Sequence, residues 1–167
     1  MFFGKKFLYI LALFLALFLT FPRFASADYA QREKEDAVLN NADECFKAMQ
    51  NEDFTKVWSL LSSKSKSQII DSVYKSLLKA NITSYTKKDI EQDFSVGGPI
   101  SKSFWSGYLK NFSPKMVLDE SVWEKVEFDG DKAKIVIKYK KATVPFDLKM
   151  YKENNEWKVG LIETFGI

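Results

Sequence analysis

The chain has 167 residues, with 25 Lys or Arg against 22 Asp or Glu, no histidine and one cysteine. Its net charge of +3 resides in residues 1–27, which carry Lys5, Lys6 and Arg23 and no acid; the remainder is balanced, so the basic pI is no argument for nucleic-acid binding. The missing histidine removes the commonest general base and metal ligand, and a lone thiol excludes both a cysteine metal site and an intrachain disulfide.

Residues 1–27 read as a secretory signal peptide. Lys5 and Lys6 precede an apolar run from Phe7 to Phe21, Pro22 interrupts it, and Ala25-Ser26-Ala27 supplies the small-x-small pattern that signal peptidase requires. The run is about 15 residues, short of the roughly 20 needed to cross a bilayer. Cleavage is expected, leaving residues 28–167 as one exported domain, periplasmic or extracellular, with no stable membrane anchor. No cysteine follows the site to carry a lipid.

A first helix is predicted over 29–51, where Val38, Ala42, Cys45, Phe46 and Met49 form one stripe at the helical period. Cys45 on that stripe reads as a buried thiol. Asp53 is placed to cap a short second helix carrying Phe54, Val57, Trp58, Leu60 and Leu61. The serine–lysine run 62–67 reads as a solvated turn and cap, in preference to a Ser–Lys catalytic pair. A third helix follows with Ile69, Ile70, Val73, Leu77 and Leu78 inward. Residues 81–88 are expected to be a loop, followed by a short helical piece over 89–94. Gly97-Gly98-Pro99 is the strongest break and lacks the spacing of a phosphate cradle. A further helix over 104–112, with Phe104, Trp105, Tyr108, Leu109 and Phe112 as its stripe, is expected to close at Pro114.

From Met116 the period changes to two. Ala133, Ile135, Ile137 and Tyr139 alternate with Lys132, Lys134, Val136, Lys138 and Lys140. Val144, Phe146, Leu148 and Met150 alternate with Pro145, Asp147, Lys149 and Tyr151, and Trp157, Val159 and Leu161 follow in the same phase. Asp129-Gly130 and Asn154-Asn155 are hairpin-turn pairs. Pro145 is expected on an edge strand or at a bulge. The fold class is therefore α+β, with N-terminal helices packed on one face of a C-terminal curved antiparallel sheet whose other face is rich in lysine.

Two stretches carry a family resemblance. In 45–61, Cys45, Phe46 and Met49 lead through Glu52 and Asp53 to Trp58, Leu60 and Leu61. In 148–159, Leu148, Met150, Asn154, Asn155, Trp157 and Val159 form a closing hairpin. Together they resemble the nuclear transport factor 2-like (cystatin-like) superfamily, in its small exported, non-catalytic form. The resemblance implies a sheet bent around a helix into a cone, with an open end that binds small molecules or partner proteins. Some members are isomerases, dehydratases or cyclases.

Catalysis on this chain would rest on tyrosine and carboxylates alone. Asp147 falls on the outer phase; Glu124 would join Tyr139 on the concave side if Val122 and Val126 point inward. The aromatic residues with polar handles, Trp58, Tyr74, Trp105, Tyr108, Trp123 and Tyr139, are the candidates to line a binding pocket, against the alternative that they fill the core. The lysines of the outer sheet suit an anionic surface, or simply protect the sheet from aggregation. Asn81-Ile82-Thr83 fits a glycosylation acceptor, meaningful in a eukaryotic secretory pathway. These features predict an exported, non-catalytic binding or protein-interaction module, with no cofactor or metal assigned. Its partner is an unidentified protein or small organic ligand and not a nucleic acid. The alternatives are a carrier of small apolar ligands using a cone pocket, and an acid–base enzyme.

Overall fold

The computed structural model describes residues 22–166. The apolar run of the predicted signal peptide, and the side chains at its predicted cleavage site, lie outside the described residues. Two compact units separate at Asp36 and Ala37. In the first, the described backbone is helical, with an Arg32–Asp28 ion pair at 3.0 Å and a hydrogen bond from Gln31 Nε2 to Glu35 Oε1 at 2.8 Å. No helix among the described residues is long and apolar enough to cross a membrane.

Among the described residues, six helices come first: α1 Pro22–Gln50, α2 Phe54–Leu60, α3 Ser63–Lys79, α4 Lys87–Val96, α5 Pro99–Tyr108 and α6 Pro114–Asp119. Four strands follow, β1 Ser121–Asp129, β2 Lys132–Tyr139, β3 Phe146–Glu153 and β4 Glu156–Gly160, and then α7, Leu161–Phe165. The strands form one antiparallel sheet in the order β1-β2-β3-β4. The protein is α+β. The predicted stripe of α1, Val38, Ala42, Cys45, Phe46 and Met49, is fully buried in one apolar cluster with Ile135, Ile137, Leu148, Met150 and Val159. One face of the sheet thus packs on helices, and Asp147 lies on the other, ion-paired to Lys134 at 3.0 Å.

Local chemistry sets the helix ends. Asp53 accepts from the Lys56 amide at 3.0 Å to start α2, and Ser62 accepts from the Ser65 amide at 3.0 Å to start α3. Thr86 and Asp89 form a reciprocal capping box that starts α4 inside the predicted loop. Gly97 closes α4 with φ +66°, a left-handed conformation that glycine adopts without a Cβ clash. The Asp93 carboxylate then accepts from the Ser101 amide at 2.7 Å, and Pro99 occupies the first turn of α5. That helix consequently starts at Pro99, five residues before the predicted start, and ends at Tyr108.

Several other expectations are corrected. Pro114 opens α6 under a Ser113 cap, so regular strand structure begins at Ser121. β3 begins at Phe146 and is central in the sheet. Pro145 precedes the strand, which is neither an edge nor bulged there, and Val144 is 73% exposed instead of inward. A register shift between Trp123 and Lys125 makes Glu124 the extra residue of a bulge on the edge strand β1. Trp123, Val126 and Phe128 therefore pack on the core, while Val122 and Glu124 are exposed. Val136 lies on the lysine phase yet is buried, and Leu78 is exposed although its period pointed inward.

At the Asn154-Asn155 turn both residues have positive φ, as a two-residue hairpin with matching twist requires, and Glu153 pairs with Glu156. The opposite edge of the sheet is covered by the α2–α3 connection. Leu61 bridges Val159 in parallel, and the Ser62 amide donates to the Val159 carbonyl at 2.9 Å. Leu161 leaves the sheet phase to begin α7. Its position is held from two sides: Thr164 Oγ1 accepts from the Lys149 amide at 3.0 Å, and Ser65 Oγ accepts from the Ile162 amide at 3.1 Å.

Candidate functional site

The six candidate aromatics are distributed between core and surface. Trp58 and Trp105 are core residues. Trp58 packs on Phe94 with ring centroids 4.7 Å apart, and the Lys66 ammonium lies over it at 5.6 Å. Trp105 sits against Phe54, Phe104 and Tyr108 at 6.0, 5.1 and 5.8 Å. Trp123 reaches the same aromatic network from the sheet side through Phe46, at 6.3 Å, and donates its indole N–H to the Val117 carbonyl at 3.0 Å. Tyr139 stands apart and donates to Glu120 Oε2 at 3.3 Å. Tyr74 is half-buried on α3, with the Lys87 ammonium 5.8 Å from its ring. The helix–sheet space that a cone pocket would occupy is filled by side chains, among them Phe46, Met49 and Ile137, all without exposed surface.

The Ser–Lys run is a structural device. Ser62 and Ser65, predicted to be solvated, are buried, and both hydroxyls donate to the Glu163 carboxylate, the first at 2.9 Å. The Ser63 amide donates to both Glu153 carboxylate oxygens at 3.0 and 3.1 Å. Partial burial, and then the charge of Lys158, pulls the Lys66 ammonium below its ordinary pKa. A polar hollow of about 540 Å³ between Ser63 and Glu91 contains the Lys87–Asp71 ion pair at 2.6 Å. No cluster of three His, Cys, Asp or Glu side chains able to hold a metal occurs among the described residues.

An open groove lies on the helical layer, between α3 and α5. Its upper part, about 500 Å³, is lined by Val73, Leu77, Ile82, Tyr85, Ile100 and Phe104, with Ser72, Ser76 and Ser103 among them. Ile82 and Tyr85 come from the α3–α4 loop and are 41% and 43% exposed. A second hollow of about 470 Å³ shares Ser72, Ser103 and Phe104 with the first and continues over Tyr108 and Phe112 to Phe165. The two are therefore one elongated trough. Its wall is an aromatic ladder, Phe104 to Tyr108 at 6.1 Å, Tyr108 to Phe112 at 5.3 Å, and Phe112 to Phe165 at 4.9 Å.

Of the six candidates, Tyr108 alone lines this trough. Its ring faces the groove, whereas its hydroxyl is buried without a hydrogen-bond partner. Burial first, and the charge of a Cys45 thiolate second, push that hydroxyl well above the usual tyrosine range. Cys45 is buried as predicted, and burial pushes its thiol up to about 12. Neither group is a base or nucleophile at neutral pH. The sequence signal for the groove lay in Ile82 and Tyr85, two large apolar residues inside an otherwise polar loop. A second signal was that Ile100, Phe104, Trp105 and Tyr108 together cover more of α5 than one buried stripe needs. No protein-family profile matches the chain, and neither a curated protein nor a solved structure matches it.

Proposed function

We propose that the protein is an exported, non-catalytic binding module of the nuclear transport factor 2-like kind, and that it binds its partner in the groove on its helical layer. The observation that carries this reading is the trough itself: two contiguous hollows of about 500 and 470 Å³, walled by apolar and aromatic side chains and open to solvent. Sites of this size and lining suit small ligands or a partner's apolar side chains. The signal-peptide pattern supports export, and the order of helices before an antiparallel meander supports the family resemblance. Binding on the helical layer replaces the cone pocket of the carrier reading, because the helix–sheet space is occupied by Phe46, Met49 and their neighbours. Glu124 and Asp147 are exposed, so neither carboxyl faces a tyrosine within the fold, and the Tyr139–Glu120 pair, at 3.3 Å, lies apart from the groove.

Ser103 is exposed on α5 where the two hollows meet. Ser103→Trp fills the trough at a helix-propensity cost of a few tenths of a kcal/mol at most. The wild type is expected to bind Nile red, a neutral apolar dye, saturably at one site, and Ser103→Trp to lose that binding while keeping its circular dichroism. A wild type without saturable binding, or a variant that binds equally, refutes the reading.

A further inference from the structure

The charge around the groove is one-sided. Residues 72–88 and 99–118, which supply nearly all of its walls, contain no Asp or Glu and seven lysines: Lys75, Lys79, Lys87, Lys88, Lys102, Lys110 and Lys115. Lys87 is paired with Asp71. Lys79 and Lys110 are exposed and form no ion pair among the described residues. Lys79 stands on α3 three residues beyond the groove-lining Ser76, on the same side of the helix; Lys110 lies in the turn after α5, its amide donating to the carbonyl of the groove-lining Gly107 at 3.3 Å and its neighbour Asn111 lining the groove.

An apolar trough flanked by Lys79 and Lys110 is complementary to a molecule that carries a hydrocarbon tail and one negative head. We propose that the groove holds a free single-chain anionic amphiphile of the fatty-acid class. Its tail would lie along Leu77, Phe104, Tyr108 and Phe112, and its head at Lys79 or Lys110. This rests on the groove reading above and adds the chemistry of the ligand. The size of the trough favours a small molecule: about 500 and 470 Å³ lies within the range of single-ligand sites, roughly 300–1,000 Å³. A folded protein partner would require contact over about 1,000 Å² or more. Lysine suits this head group, since a single carboxylate at a wet rim needs a mobile point charge and not the bidentate geometry of arginine.

The experiment is displacement of Nile red by laurate, lauryl alcohol and laurylamine, below their micelle concentrations, from wild type and from a Lys79→Glu/Lys110→Glu double variant. Laurate is expected to displace the dye about three- to fivefold more tightly than the alcohol, the worth of one exposed ion pair, and laurylamine more weakly than either. Rim ion pairs are screened and worth about three- to fivefold each. The double variant, altered at exposed positions only, is expected to erase the advantage of laurate, leave the alcohol unchanged and melt like the wild type. High salt is expected to do the same to the wild type. Equal displacement by laurate and alcohol overturns the anionic preference while leaving the groove reading intact. Failure of Nile red to bind at all removes both. Sedimentation with phosphatidylglycerol vesicles, without binding of monomeric laurate, assigns the groove to a membrane surface and overturns the proposal.

Discussion

Glu163 is the residue on which the C-terminal end of the groove depends. It lies on α7 and accepts from the Ser62 and Ser65 hydroxyls more than ninety positions earlier in sequence. Through it, α7 is pinned to the start of α3, and Phe165 is held between Phe112, at 4.9 Å, and Phe146, at 5.3 Å. Glu163→Ala removes the acceptor and leaves two buried hydroxyl donors unpaired. Each orphaned group costs about 1–3 kcal/mol. Glu163 is itself only half-buried, so water can enter, and the expected loss is about 2–4 kcal/mol. With a urea m-value of about 1–3 kcal/mol/M, the denaturation midpoint should fall by roughly 1–2 M at unchanged slope. Glu163→Gln keeps one acceptor oxygen and should lose about half as much. Nile red affinity should fall with both, because Phe165 loses its anchor. A Glu163→Ala protein within about 0.5 kcal/mol of wild type, the range of ordinary surface changes, refutes the argument.

Gly98→Ala should destabilise through its neighbour Asp93. An added Cβ would stand 2.1 Å from Asp93 Oδ2 and 2.5 Å from Cγ, so the carboxylate must leave the Ser101 amide that it caps, at a cost of about 1 kcal/mol. In a double-mutant cycle, Gly98→Ala added to Asp93→Ala should cost much less than it does alone; simple additivity would disprove the shared mechanism. Cys45 should resist thiol reagents in the native protein and react fully in denaturant, which a colorimetric thiol assay reads directly. Its folded pKa, about 12, lies above the unfolded value, so the native state holds the extra proton. Stability from this group is complete below about pH 8.5 and declines as pH rises from there toward 12, an alkaline loss that Cys45→Ala should lack.

Where burial runs along a regular element, the amino-acid order carried it. The α1 stripe from Val38 to Met49, the alternation of Ala133, Ile135 and Ile137, and the Asn154-Asn155 turn all follow from local geometry, and each is present. Elements with ends decided by single contacts were harder to read. Pro114 both stops one helix and starts another, so its role depended on whether Ser113 capped what followed. Leu161 continued the phase of Trp157 and Val159, yet it begins α7, held by Ser65 and Lys149 from distant parts of the chain. The bulge at Glu124 inserts one residue into the alternation, and neither neighbour signals it.

The amino-acid sequence by itself determined the class of fold, the burial of Cys45 and the absence of histidine-based chemistry. These depend on composition and on periods that span a turn or a pleat. Tertiary structure alone decided which aromatics fill the core and which face solvent. A tryptophan with a polar handle suits either place, and Trp105 is enclosed because Phe54, Phe104 and Tyr108 surround it. The groove was decided there too: a hollow is the place where two helices and a loop fail to touch, and no residue encodes a gap between others distant in sequence.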